Sequence, residues 1–492
     1  MKELASRHFL PILITVSALT ALGVLCLGLQ QSVWFDEIYS IDLANQSWGD
    51  IVRLTAEDVH PPFYYWLLKA WMLLFGQSEL ALRSMSALLF GVSLGMTGLL
   101  LRKLFGAKTA LMALPFIVFA PFLLRYGFEI RMYSLASFIG VAATYLLVLV
   151  TEMAERKRRW LLLAAYALLV VLGVYTLYFM ALVWIAHAVW IVLQARDKAK
   201  RSMAAEVIVA YVASVVLFAP WLPNVIAGTS GGTISPVTHP LNFDNLVGIV
   251  TYMFLYQPPW GFSLIYSAII VGTLLLVGYL AWAGYRSATA EERRGLGLLA
   301  AHFFVPIIVL IVVTQFAPIY LERYIAQFAV AGYAGLGAVA AIAIQRAGWF
   351  ARDAALLLLL ILLSGSSSLV QYGNYNFQRL HTPSIKQVAT RLTDCKDGAI
   401  IFADGPQVAV ELGYYVKDCP VYFFNETLKM TGGFAMISDS PYRVANASEL
   451  PTTDEILHVY YNEPKNTLPA SFSQRSIVTA EKVSVATYRA KE

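Results

Sequence analysis

Apolar runs of about 20 residues recur along the chain, and each is long enough to cross the ~30 Å hydrocarbon layer of a bilayer. No soluble fold has an interior for so many of them: of 492 residues, 58% are hydrophobic and only 14% are charged. Inside hydrocarbon such a run must satisfy its own backbone, so each reads as a helix. The pattern predicts spans at 9–30, 82–101, 107–124, 132–150, 160–175, 178–194, 203–222, 262–284, 297–316, 324–345 and 354–371. The chain is thus expected to be an all-α polytopic membrane domain of about eleven helices, followed by a polar C-terminal domain. The first run exceeds a usual signal-peptide core and no small-x-small cleavage site follows it. Leu25 before Cys26 does not fit a lipoprotein signal, so this run reads as an uncleaved span with Lys2, Arg7 and His8 on the cytoplasmic side.

Lys and Arg are sorted between alternate loops. One set of short loops holds Arg102, Lys103 and Lys108, then Arg156 to Arg159, Arg196 to Arg201, Arg286, Arg293, Arg294, Arg346 and Arg352. The other holds only Arg53, Lys69, Arg83, Arg125, Arg131 and Arg323. By the positive-inside rule the N-terminus is cytoplasmic and the C-terminal domain lies outside. The closest pair of spans requires a tight hairpin near Tyr175 to Tyr178. Within the outer loop 31–81, residues 38–56 show loose helical periodicity, as in a helix lying flat on a membrane. Pro61-Pro62 can open a helix over 63–75 that carries Trp66, Trp71 and Phe75. The outer loop 223–261, with its glycines at 228, 231 and 232, reads as a flexible lid.

The chain divides into a membrane domain, 1–371, and an extracytoplasmic α/β domain, 372–492. In the latter, 399–402 and 421–424 read as buried strands flanking a helix over 405–417, with further strands at 455–461 and 476–489. Outside the cytoplasm, Cys395 and Cys419 can form a bridge that would stabilise the domain by about 3 kcal/mol, or remain two thiols. Asn425 and Asn446 sit in N-x-[ST] patterns, too common to indicate an organism.

Ionisable groups at membrane level are expensive, and each asks for a reason. The outer acids before the C-terminal domain are Asp36, Glu37, Asp42, Asp50, Glu57, Asp58, Glu79, Glu129, Asp244 and Glu322. The outer arginines sit at span ends, in the stretch Arg125 to Tyr133 and in Tyr320-Leu321-Glu322-Arg323-Tyr324. Gathered in one cavity, acids and guanidiniums suit transfer of a group from a phosphate-linked lipid. A carboxylate takes a hydroxyl proton, and guanidiniums hold the departing phosphate by paired hydrogen bonds. Each residue also has a plainer reading. Asp36 and Glu37 can cap a helix over 37–46. Arg131 can anchor a span end, Glu322 and Arg323 can be an ion pair, His60 can cap or pack, and Tyr133, Tyr175, Tyr178 and Tyr324 can be interface aromatics. The chain shows no phosphate-binding P-loop, no dinucleotide fingerprint and no H-E-x-x-H or paired C-x-x-C metal motif. The energy for a reaction must then come with the substrate or from a gradient.

Taken together, Trp34-Phe35-Asp36-Glu37 after the first span, His60-Pro61-Pro62-Phe63-Tyr64-Tyr65, Arg131-Met132-Tyr133, Tyr175-Thr176-Leu177-Tyr178 and Glu322-Arg323-Tyr324 carry a family likeness. Over roughly residues 30–330 the chain resembles the GT-C glycosyltransferases, in the branch of the dolichyl-phosphate-mannose protein mannosyltransferases and the bacterial aminoarabinose transferases. The resemblance implies inverting transfer from a polyprenyl-phosphate sugar to an acceptor hydroxyl on the outer face. It implies Asp36 as general base and Glu37 as its support or as the group that positions the acceptor. It also implies Arg131 and Arg323 as ligands of the lipid phosphate, and His60 as a group shaping the donor site. Asp58, Tyr133, Glu322 and Tyr324 join them as candidate binding residues. Many members of the family it resembles carry a histidine where this chain has Leu177, which detracts from a role for that turn.

The expected partners are the bilayer, a polyprenyl-phosphate sugar donor and a glycan, lipid or protein acceptor. A net charge of +5 gives no reason to expect nucleic acid. No cofactor is implied; acids near His60 could hold a divalent metal, but no ligand spacing demands one. Two other readings stay open: a lipid or saccharide transporter, which would need mid-span charges and paired broken helices, and a scaffold presenting the C-terminal domain. The compact chain and short loops favour a bacterial inner membrane over an endoplasmic reticulum.

Overall fold

The computed structural model describes residues 6–58, 60–230, 242–256, 264–317, 319–376, 384–390, 392, 399–416, 419–424, 440–445, 449–464, 467–480 and 483–491. It divides into two compact units, Met1–Gly28 with Trp48–Gly373, and Leu29–Ser47 with Asn374–Glu492.

The helices in chain order are α1 (Phe9–Leu29), α2 (Phe35–Asn45), α3 (Trp48–Ala56), α4 (Phe63–Phe75), α5 (Glu79–Val118), α6 (Pro121–Gly127), α7 (Tyr133–Glu152), α8 (Arg156–Thr176) and α9 (Met180–Gln194). They continue with α10 (Arg201–Phe218), α11 (Leu222–Ser230), α12 (Phe243–Phe254), α13 (Leu264–Ser287), α14 (Ala290–Val313), α15 (Ala326–Arg346), α16 (Trp349–Asn376), α17 (Ser384–Ala389) and α18 (Pro406–Tyr415). Among the described residues, nine helices are long and apolar enough to cross a membrane. The expected count was higher for two reasons. The spans expected at 82–101 and 107–124 are both present, as two helices that meet at Gly106, where φ of 82° and ψ of 164° interrupt the helix and favour a residue without Cβ; their continuous run, labelled α5, is counted once. The segment expected at 178–194 is α9, an apolar helix of 15 residues, short for a full span.

Helix α15 is the most enclosed and α7 the next, whereas α1 and α13 turn much of their length outward. The outward side chains are those hydrocarbon accepts, such as Leu19, Leu22, Ile265 and Leu275. Small residues set the closest crossings, as packing without a hydrophobic drive requires. A Cβ on Gly337 of α15 would press on the Ala113 backbone of α5, and one on Gly284 of α13 would overlap the Val339 carbonyl of α15. At mid-bundle the Thr144 hydroxyl lies 2.9 Å from His187 Nε2 and 3.0 Å from His302 Nδ1, a polar link buried among α7, α9 and α14. One end of the bundle carries bidentate ion pairs, Arg159 with Glu206 and Arg346 with Glu292, on residues assigned to the basic loops or next to them. Helix α4 forms over the expected residues, with Pro62 as its N-cap. The expected lid begins as α11, and residues 231–241 and 257–263 lie outside the described residues.

The second unit holds six strands, β1 (Ile400–Ala403), β2 (Val421–Phe424), β3 (Arg443–Val444), β4 (Glu455–Tyr461), β5 (Phe472–Ala480) and β6 (Val483–Ala490). Their order is β3-β2-β1-β4-β6-β5, with β3, β2, β1 and β4 parallel and the last two antiparallel. The stretch expected as one strand over 476–489 is a hairpin of β5 and β6. A single run of that length would far exceed a usual strand. Ile385, Val388, Leu412, Val416 and Cys419 pack on one face of the sheet. Cys395, Asn425 and Asn446 lie outside the described residues, and with them the expected bridge and glycosylation sites.

The helix expected over 38–56 is two helices, α2 and α3, parted at Gln46 and Ser47 and falling in different units. In the second unit, α2 packs on α18 of the C-terminal domain, where Glu411 is buried. Burial pushes the Glu411 carboxyl up to about 8 from its ordinary 4.5; bonds from Tyr461 and Phe35 oppose the shift, and the nearby Asp36 charge adds to it.

Two outcomes are expected. Gly337→Leu and Gly284→Leu should each overpack the bundle at a cost of about 1–3 kcal/mol, read as a lower melting temperature of the purified protein by tryptophan fluorescence; unchanged melting would mean that the crossings relax. A carboxyl with a raised folded pKa holds its proton better when folded, so its stabilisation is complete below about pH 4.5 and lost as pH rises through about 8. Protection of the β1 and β4 amides from hydrogen exchange, corrected for intrinsic rates, should fall over that window, and Glu411→Gln should remove that part of the slope.

Candidate active site

Residues 128–132, between α6 and α7, have main-chain groups that no helix satisfies. Two side chains from the first turns of α5 meet them. Arg83 Nη1 donates to the Phe128 carbonyl at 3.4 Å, and Ser86 Oγ donates to the Glu129 carbonyl at 2.5 Å. Ser134 of α7 donates back to the Gly127 carbonyl at 3.2 Å. Arg83 is fully buried, with its guanidinium 5.6 Å from the Phe128 ring centre. The absence of a side chain on Gly28 of α1 leaves room for both. The stretch is therefore pinned along its length, and Arg131 at its end is aimed by the fold.

Arg131 is buried and joins a three-membered chain. Its Nη2 lies 3.2 Å from His60 Nε2, and His60 Nδ1 lies 3.1 Å from Asp58 Oδ2. A guanidinium can only donate, so Nε2 accepts and the imidazole proton sits on Nδ1, facing the carboxylate. His60 is thereby neutral and oriented, with Asp58 and Arg131 at its two nitrogens. The expected helix start supplies the scaffold: His60-Pro61-Pro62 leads directly into α4, whose Trp66 and Trp71 indoles donate to the carbonyls of Trp48 and Ala81.

Arg125 and Glu129 form an ion pair of 3.0 Å, and both side chains are almost wholly buried. Arg125 also bonds the Tyr256 hydroxyl. The charges of this pair are therefore engaged with each other. Glu322, Arg323 and Tyr324 lie on a 3-10 turn, Glu322–Ile325, that feeds α15. Tyr324 stacks on Phe179 at 4.5 Å, in the turn between α8 and α9. Tyr133, at the first turn of α7, is fully buried, and the charges of Arg323, Arg131 and Glu129 all reach its phenol. The structure thus brings Arg131, Tyr133, Arg323 and Tyr324 into one neighbourhood, with His60 and Asp58 attached through Arg131. Glu322 acts on Tyr126, Tyr252 and Tyr320, which line the same end of the bundle. Tyr178 bonds the Trp221 indole and feels the charge of Asp58, a more interior place than an interface belt provides.

Asp36 and Glu37 belong to the other unit, on the first turn of α2. Their surroundings differ. Glu37 is buried, and its carboxylate accepts from the Trp34 backbone N–H at 3.2 Å, the acidic half of a capping box. Asp36 is half-buried. Among the described residues no three His, Cys, Asp or Glu side chains come together as a metal site.

Sequence reasoning counted Arg83 with the loop arginines and left out Ser86. A guanidinium four residues inside an apolar helix was the available signal, since charge there demands a partner. Glu411 gives no comparable signal, since an acid in a polar segment reads as a solvated surface group.

Residues 59–224 match the family model described as dolichyl-phosphate-mannose-protein mannosyltransferase. No curated protein matches the chain by sequence. Among solved structures, ArnT from Cupriavidus metallidurans bound to undecaprenyl phosphate superposes with a TM-score of 0.63 at 13% identity, over 96% of this chain and 97% of that one. The apo state of the same protein gives 0.61 at 13% identity, with the same coverage. The Archaeoglobus fulgidus oligosaccharyltransferase tethered to an acceptor peptide gives 0.51 at 12% identity, over 83% of this chain and 63% of that longer one. Identities this low speak for the fold, and the family match speaks for the segment that contains His60 and Arg131. The chain thus has the fold of ArnT, and its segment 59–224 is similar to the dolichyl-phosphate-mannose-protein mannosyltransferase family.

Proposed function

We infer that the protein transfers a sugar from a polyprenyl-phosphate donor to an acceptor hydroxyl, at the extracytoplasmic face of a bacterial inner membrane and with inversion. The carrying observation is that the charges of Arg131 and Arg323 both reach the Tyr133 phenol, with Arg131 held by the His60–Asp58 chain. Two guanidiniums offer a phosphate parallel donors in a site with little water, where such bonds are strongest. The ArnT structure of the same fold was crystallised with undecaprenyl phosphate, which is the chemistry these donors suit.

In this reading the acceptor oxygen attacks the anomeric carbon as the Asp36 carboxylate takes its proton. The bond from that carbon to the phosphate oxygen breaks, and the electron pair leaves on the polyprenyl phosphate, neutralised by Arg131 and Arg323. A single displacement inverts the centre. Neutral His60 fixes Arg131 without adding charge. Glu37, engaged with the Trp34 amide, supports the segment that bears Asp36. Tyr133 and Tyr324 wall the phosphate site, and Glu322 balances the charge of Arg323.

The test uses the purified protein in nanodiscs with undecaprenyl-phosphate-linked mannose, glucose and aminoarabinose as donors and an envelope extract as acceptor. Wild type should release undecaprenyl phosphate and label the extract. Asp36→Asn should lower turnover by about 10²-fold or more while undecaprenyl phosphate still binds; wild-type turnover would remove Asp36 from the chemistry. Arg323→Ala should weaken undecaprenyl phosphate binding by roughly 10- to 100-fold, the loss of a charge-assisted bond. Equal affinity in that variant would take Arg323 out of the phosphate site.

A further inference from the structure

The segment that carries Asp36 is fastened to the C-terminal domain by its main chain. Lys386, in α17, gives its Nζ to the Leu29 carbonyl at 3.4 Å and its backbone N–H to Ser32 Oγ at 3.3 Å. The Val33 N–H donates to the Tyr415 hydroxyl at 2.7 Å. The Phe35 N–H donates to Glu411 Oε1 at 3.3 Å, and the Tyr461 hydroxyl donates to the other Glu411 oxygen at 2.9 Å. Phe35 opens α2, so its amide is one of the donors a helix leaves without an internal partner. The Trp34 amide next to it goes to Glu37. The first turn of α2 is therefore capped from within by one carboxylate and from the C-terminal domain by another.

We propose that Glu411, with Tyr415 and Tyr461, is a positioning clamp that sets the Asp36 carboxylate for catalysis, and that this is a role of the C-terminal domain. The proposal rests on the reading of Asp36 as the base. The geometry favours a clamp over a plain core contact in two ways. A buried carboxyl is costly to keep unless it bonds something specific, and Glu411 spends one oxygen on a main-chain amide adjacent to Asp36 and the other on a tyrosine of β4. Second, every contact named falls on residues 29–35, just before Asp36, so the register of the helix start is fixed rather than its far end. Burial keeps Glu411 largely protonated near neutral pH, which spares Asp36 a second negative charge at close range.

The amide isostere can make the same two contacts, since its oxygen accepts from Phe35 and its NH₂ donates to the Tyr461 oxygen. Glu411→Gln should therefore behave as wild type, whereas Glu411→Ala should free the segment. Two readouts are taken on the full chain in nanodiscs. Hydrogen exchange over residues 33–40 needs no substrate and should rise about 10-fold or more in Glu411→Ala and in Tyr415→Phe. Turnover with the undecaprenyl-phosphate-linked sugars should fall about 10- to 100-fold in Glu411→Ala, as displaced catalytic groups do, with KM for the donor unchanged. Ile400→Val, in the core cluster on the sheet face that does not hold Leu412 of α18, should leave exchange over 33–40 and kcat near wild type. Exchange in Glu411→Ala that matches wild type overturns the clamp, and so does faster exchange with wild-type kcat. Equal losses in Glu411→Gln and Glu411→Ala also overturn it. Activity in Asp36→Asn overturns the reading of the base, and the exchange arm then still decides whether the clamp exists.

Discussion

The donors from Arg83 and Ser86 to the main chain at Phe128 and Glu129 are what the site in the membrane domain depends on. In buried surroundings a carbonyl without a donor costs several kcal/mol, and a break between helices exposes such carbonyls in succession. Residues three apart on a helix share a face, so α5 presents both donors along one line and the stretch lies down along it. Arg131 follows directly and inherits that position. Its guanidinium is then fixed from the other direction by His60, which Asp58 orients. Main chain and side chain are held by different elements, so neither end of Arg131 is left to sample rotamers. A phosphate binder gains affinity when that ordering cost is met by the fold instead of by the ligand.

What the sequence reveals follows from how local each signal is. Apolar runs of span length announce themselves one by one, so the helices from α5 onward fall near their expected places. Pro61-Pro62 marks the start of α4 because proline acts on its own backbone. The break at Gly106 falls between the runs 82–101 and 107–124, where Arg102 and Lys103 already interrupt the apolar pattern. The join of α2 and α3 at Gln46 and Ser47 is invisible, since helical periodicity averaged over 38–56 smooths over a two-residue break. The hairpin of β5 and β6 hides within one β-rich stretch for the same reason. Long-range contacts have no sequence signal at all: nothing near Phe35 announces Glu411, 376 residues away, and nothing near Phe128 announces Arg83.

Asp36 and Glu37 show how adjacency misleads. Side by side in sequence they look like twin acids with one task. On a helix, neighbours point about 100° apart, and the first turn offers quite different places to the two. Glu37 falls where it can reach back to the Trp34 amide, so it is buried and spent on the backbone. Asp36 turns away from that bond and remains half-buried. Glu37 is thus committed to the helix start that bears Asp36.

The same helix bears on what the C-terminal domain is for. Helix α2 has 11 residues, below the length at which an isolated helix holds together in water. Its stability must come from what it packs on, and in its unit that is α18. Deleting the C-terminal domain would therefore remove any surface that it offers an acceptor and unmoor α2 in the same stroke. Loss of activity after such a deletion has two explanations that the experiment cannot part. Substitutions confined to Glu411 and Tyr415 disturb the mooring alone, whereas changes on the strand faces remote from α18 disturb only the surface. If the domain serves chiefly to dock acceptors, the second set lowers turnover and the first does not; if it serves to hold α2, the order is reversed.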